Sequence, residues 1–160
     1  MKKSIQKGLS FGLTSGVITT LGLITGLDSS EASKMIIIGG IITIAIADSF
    51  SDALGAHISE EVTNKKSTNK EIWEVTISTF LTKLLFALTF LIPIIIFKQN
   101  IAIIISILWG LLVLTLLSIK TAKEHNEKTI KVVREHLLIA TLVIIITHYV
   151  GIIISNHFNS

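Results

Sequence analysis

The stretch that decides the fold runs from Met35 to Glu61 and reads MIIIGGIITIAIADSFSDALGAHISEE. Its first ten residues are almost wholly apolar, so Asp48 and Asp52 arrive near the end of a helix that reads as membrane-spanning. A charged side chain within a bilayer costs about 2.5–3.5 kcal/mol on insertion scales. The two aspartates stand four residues apart and stack on one helix face. At neutral pH they repel each other unless a cation, a proton or a basic side chain lies between them. That face is a candidate cation site.

Working outward, half of the residues are apolar, 16% are charged, one is proline, and the mean hydropathy is +0.74. The apolar residues come in blocks, and blocks of roughly 20 are what a hydrocarbon core of about 30 Å demands. The composition predicts an all-α, polytopic membrane protein with five transmembrane helices, a multi-pass protein of the cell membrane surrounded by lipid. The absence of cysteine excludes disulfides, thiolate metal sites and cysteine nucleophiles. The pI near 9.2 raises nucleic acid as a partner, but the basic residues fall in loops at one face, which argues against it. The first apolar block is rich in glycine and threonine and leads into further spans, so it reads as a retained helix rather than a cleaved signal peptide.

The predicted spans cover about residues 8–27, 35–57 with a polar extension to Glu61, 75–97, 101–119 and 132–155. They form a single transmembrane domain. With the N-terminus in the cytoplasm, the inner segments hold Lys2, Lys3, Lys7, Lys65, Lys66, Lys70, Lys120, Lys123, Lys128, Lys131 and Arg134. The outer segments hold only Lys34 and Lys98, beside Asp28 and Glu31. Eleven basic residues against two set the orientation by the positive-inside rule, with the C-terminal NHFNS outside.

Small residues recur every fourth position: Gly8, Gly12 and Gly16, then Gly22 and Gly26, in span one, and Thr43, Ala47, Ser51, Gly55 and Ser59 in span two. Such spacing lets membrane helices approach closely. It predicts that spans one and two are the tightly packed pair, within one subunit or across a dimer.

Counting at a rise of about 1.5 Å per residue places Ser15, Asp48, Asp52 and Lys83 in one layer of the inner third of the bilayer. Two readings compete there. In the first, Lys83 neutralises one aspartate and snorkels to the interface, a structural ion pair. In the second, Asp48 and Asp52 bind a divalent cation, which Lys83 or a proton replaces in the empty state. Beyond the aspartates lie His57, Glu60 and Glu61, then Glu71 and Glu74 across a short polar loop. Oxygen ligands suit hard cations, and a histidine tilts a site towards manganese, iron or zinc. Pro93 predicts a kink in span three. His148 and Tyr149 read as packing or aromatic-belt residues, and Lys120–Glu135 as a solvated helical link into span five, in which His125 has no special standing.

Span one, FGLTSGVITTLGLITG from Phe11 to Gly26, resembles the FGxxDGxxTTxGLxxG signature of the vacuolar iron transporter family of divalent iron and manganese carriers. LGAHIS at the end of span two resembles that family's AGEYVS, and THYVG in span five its TYxxG. The resemblance covers all five spans in order. It implies a five-helix subunit with a cytoplasmic N-terminus, dimerising so that the first two helices line a path along which metal leaves the cytosol in exchange for protons. The departures are specific. Ser15 stands where the family has an aspartate, Asp52 falls on or near its methionine, and Ala56 replaces its glutamate. The long cytoplasmic metal-binding insertion is reduced to about a dozen residues.

The reading that follows is a proton-coupled divalent metal transporter, not an enzyme, with Fe2+ or Mn2+ as substrate and no resident cofactor. Asp48 and Asp52 form its intramembrane site, Ser15 adds an oxygen, and His57 and Glu60 stand at the cytoplasmic entrance. One alternative is a non-transporting membrane subunit degenerate from the same family. The other, a lipid phosphotransferase, needs a longer acidic, glycine and arginine array than DSFSD supplies.

Overall fold

The computed structural model describes residues 2–64, 67–124 and 126–158. Lys65 and Lys66, counted above for orientation, and His125, Asn159 and Ser160 lie outside the described residues. The described chain is helical throughout: α1 (Lys3–Ser29), α2 (Lys34–Thr63), α3 (Asn69–Thr89), α4 (Leu91–Ile96), α5 (Gln99–Glu124) and α6 (Thr129–Phe158). Taking α3 and α4 as one broken rod, five helices among the described residues are long and apolar enough to cross a membrane. The arrangement is compatible with a multi-pass membrane protein.

Local chemistry explains the ends and the break. Thr68 starts α3 with a capping box: its Oγ1 accepts from the Glu71 N–H at 3.3 Å, while Glu71 Oε2 accepts from the Thr68 N–H at 2.9 Å. The α1 C-terminus closes by bonds from Glu31 N–H to Asp28 O and Ala32 N–H to Leu27 O, with Glu31 in the left-handed region at φ 62°. The same device, with Asn126 at φ 54° and a bond from Glu127 N–H to Ala122 O, ends α5. The segment read as one helical link is therefore two helix ends meeting at a turn. Pro93 lacks the N–H that would bond Thr89 O and crowds that carbonyl, so the rod breaks at Phe90 between α3 and α4. Trp109 of α5 closes the break, its Nε1–H donating to Thr89 Oγ1 at 3.0 Å.

α1 is the central helix, and its close partners are α3 and α6 rather than α2. A Cβ added at Gly12 would lie 2.5 Å from Thr79 O, and one at Gly8 would lie 2.5 Å from Val75 O, so α1 and α3 touch backbone to backbone. At the other end, a Cβ at Gly22 would meet Val143 and one at Gly26 would meet Thr147, both on α6. Thr25 and Thr147 pair their hydroxyls at 2.7 Å across that contact. Within the chain, the expected close packing of spans one and two is therefore corrected. Small-residue spacing states that a face can be approached closely, but not by which helix.

α2 explains the correction. It turns Ile37, Ile41, Ala45, Ser49 and Ala53 inward. Thr43, Ala47, Ser51, Gly55 and Ser59 lie two residues out of phase, which is about 200° round the helix. All five are exposed, and a Cβ at Gly55 would meet nothing within 4 Å.

Candidate functional site

Three helices bring one buried charge cluster together. Asp48 and Asp52 project from one face of α2, Lys83 from α3, and Ser15 from α1. Lys83 Nζ donates to Asp52 Oδ2 at 2.5 Å and to Ser15 Oγ at 2.8 Å. It also stands 2.5 Å from Asp48 Oδ2, an ionic contact outside hydrogen-bond alignment. The four residues that counting assigned to one layer do meet.

The cluster departs from a simple ion pair in two ways. Lys83 is 1% exposed and does not snorkel to an interface; its ammonium touches both carboxylates. Its root is held by α1, since a Cβ at Gly16 would lie 3.2 Å from Lys83 Cγ and 3.1 Å from its carbonyl oxygen. One ammonium against two carboxylates leaves one net negative charge. The aspartate side chains keep 26% and 20% of their surface accessible, against almost none for the lysine. Asp48 lines a groove of about 770 Å³ between α1 and α2, with Thr19, Gly40, Thr43, Ala47 and Ser51 along it. Leu23, Leu27, Ile36 and Ile44 complete its lining, so the Asp48 carboxylate meets an open, mostly apolar groove.

His57 and Glu60, expected at the entrance of the site, are engaged elsewhere. His57 Nδ1 lies 2.9 Å from Thr76 Oγ1 on α3, and its ring stands edge-on to Trp73. The Thr76 hydroxyl proton goes to Ile72 O, which leaves the hydroxyl oxygen to accept from His57 Nδ1–H. Glu60, 5% exposed, is gripped by Lys7 of α1, by Asn64 Nδ2 at 2.9 Å and by Ser67 Oγ at 2.8 Å. It sits in the polar extension past the apolar span. The bond from Lys7, followed by those from Asn64 and Ser67, lowers its pKa to about 2.

The neighbouring glutamates are likewise separate. Glu71 serves the capping box, and the Thr68 backbone and side-chain bonds lower its pKa. Glu74 accepts from Lys2 at 2.6 Å and Ser4 at 2.5 Å, which lowers its pKa too. Among the described residues no group of three or more His, Asp or Glu side chains is placed to hold a metal ion. One chain offers a candidate ion two carboxylates and a hydroxyl.

Some of this was legible. Thr68-Asn-Lys-Glu71 carries the capping-box pattern, which accounts for Glu71 without any metal. The partners Lys2 and Lys7 had no such signal, because nothing in a sequence pairs an N-terminal lysine with a glutamate 53 or 72 residues away.

The same contacts gather the start of α1, the end of α2 and the start of α3 at one end of the bundle, and Gln6 with Glu124 brings the end of α5 there as well. No family model matches the chain, and no curated protein matches it in sequence.

Proposed function

We propose that this protein is a carrier of divalent cations of the iron and manganese class, moving them out of the cytosol across the cell membrane in exchange for protons. The observation that carries the reading is the Asp48–Asp52–Lys83 cluster, held between three of the five long apolar helices with a net negative charge beside an open groove. Ionisable groups within a membrane are expensive, and they mark ion and proton pathways. Carboxylates can hold either a metal or protons, because ligation requires their ionised form. The span-one resemblance to vacuolar iron transporters points to the same class and to an N-terminus in the cytoplasm.

Two carboxylates and Ser15 are too few ligands for a hard cation, which takes about six or more oxygens. In this reading a second copy and water complete the set, with α1 and α2 of two chains facing each other across the groove. The test is Mn2+ and Fe2+ flux into liposomes holding the purified protein under a pH gradient. Native protein is expected to carry one of the two. Asp52→Asn, folded by circular dichroism, is expected to lose at least about 90% of the rate, as removal of one of two charged ligands implies. Native flux in that variant sinks the assignment.

A non-transporting membrane subunit is the second reading. It is favoured by the placement of Lys83 against both aspartates and by the engagement of Glu60, Glu71 and Glu74 with other partners. It predicts no flux of either metal.

A further inference from the structure

The oxygens around Lys83 Nζ form a small cage: Asp48 Oδ2 and Asp52 Oδ2 at 2.5 Å and Ser15 Oγ at 2.8 Å, with the ammonium at its centre. Hard divalent cations bind oxygen at about 2.0–2.6 Å. A metal ligated by both of these carboxylate oxygens would therefore occupy the place that Nζ now fills. We propose that Lys83 is the built-in counter-ion of the unloaded site, which cargo must displace from Asp48 and Asp52, so that Lys83 sets the affinity of the site for divalent cations.

The inference rests on the carrier reading and adds a specificity-determining residue to it. Charge points the same way. With Lys83 in place the cluster carries one net negative charge, and a divalent ion added beside the ammonium would overshoot neutrality by one positive charge. With Lys83 withdrawn, two carboxylates balance one divalent ion. The stem of the lysine is pinned beside Gly16, so withdrawal falls to its terminal methylenes, and the ammonium remains tethered within reach to refill the site after release.

A purely structural ion pair and a competing counter-ion make opposite predictions for loss of the lysine. The experiment is Mn2+ binding to purified protein at one fixed neutral pH, followed by the electron paramagnetic resonance of the free ion, in native protein, Lys83→Met, Lys83→Arg and Asp52→Asn. Lys83→Met is expected to bind Mn2+ about tenfold or more tightly than native, the effect of one neighbouring charge removed. Its melting temperature, lowered without metal, should recover when Mn2+ is added. Lys83→Arg keeps the charge and adds donors that fork onto two carboxylates, so it is expected to bind about tenfold or more weakly than native. Native or weaker affinity in Lys83→Met overturns the proposal. Should that variant fail to accumulate, native affinity in Lys83→Arg overturns it instead. Binding that needs Asp52 but ignores Lys83 removes this inference and leaves the carrier standing. No Mn2+ binding by native protein or by either lysine variant removes both.

Discussion

Lys83 shows how much a single side chain can organise in this protein. A buried ammonium alone would cost several kcal/mol, as would either aspartate, and only their mutual contact makes the three acceptable. Glu60 is the comparable residue at the polar end. Its pKa falls from 4.5 to about 2 because Lys7, Asn64 and Ser67 all donate to the ionised form. A carboxylate with a lowered folded pKa contributes stability that is complete above its unfolded value and is lost as the pH falls through the folded one. The Glu60 contribution is therefore full above pH 4.5 and fades on acidification towards pH 2. Glu60→Gln is expected to lower the melting temperature near neutrality and to flatten its fall between those two limits. Thermal melts across the acid range check this, and an unchanged acid slope would show that the clamp does not contribute.

At the level of helices, close approach is specified residue by residue. Gly12 faces the Thr79 carbonyl and Gly39 faces open space, although both are glycines in apolar helices. Gly12→Val has to force α1 away from α3, and overpacking of this kind costs about 1–3 kcal/mol. It also draws Ser15 away from Lys83. Gly39→Ala meets nothing and is expected to stay within about 0.5 kcal/mol of native. Unfolding in graded denaturant compares the two, and equal stabilities would contradict the α1–α3 contact. The break at Phe90 belongs to this scale too, since Pro93 marked a kink in the sequence, while the Trp109 bond that closes it comes from a different helix.

For the whole molecule, the unoccupied side of α2 is the informative surface. Thr43, Ala47, Ser51, Gly55 and Ser59 form an exposed face of small residues, the first three of which line the groove together with Asp48. The Asp48 carboxylate left against lipid would be costly, and a face of small residues is what a second membrane helix packs on. In the proposed homodimer that helix is α2 of another copy. Gly55→Leu fills open space in the single chain, so it should leave the helix content unchanged while blocking the pairing. Light scattering in detergent is expected to give a dimer mass for native protein and a monomer mass for the variant; a native monomer would refute the arrangement.

The sequence by itself determined the helical class, the number of long apolar helices and the common level of Ser15, Asp48, Asp52 and Lys83. These follow from local quantities: apolar run length against bilayer thickness, and a fixed rise per residue. It also exposed the break near Pro93, because a missing N–H is a property of one residue. Only the tertiary structure decided which helix the α1 glycines touch, that Lys83 bridges both aspartates, and that Lys7 and Lys2 hold Glu60 and Glu74. Small residues and charges are permissive: each can satisfy several neighbours. The choice among those neighbours is made when all the helices pack at once.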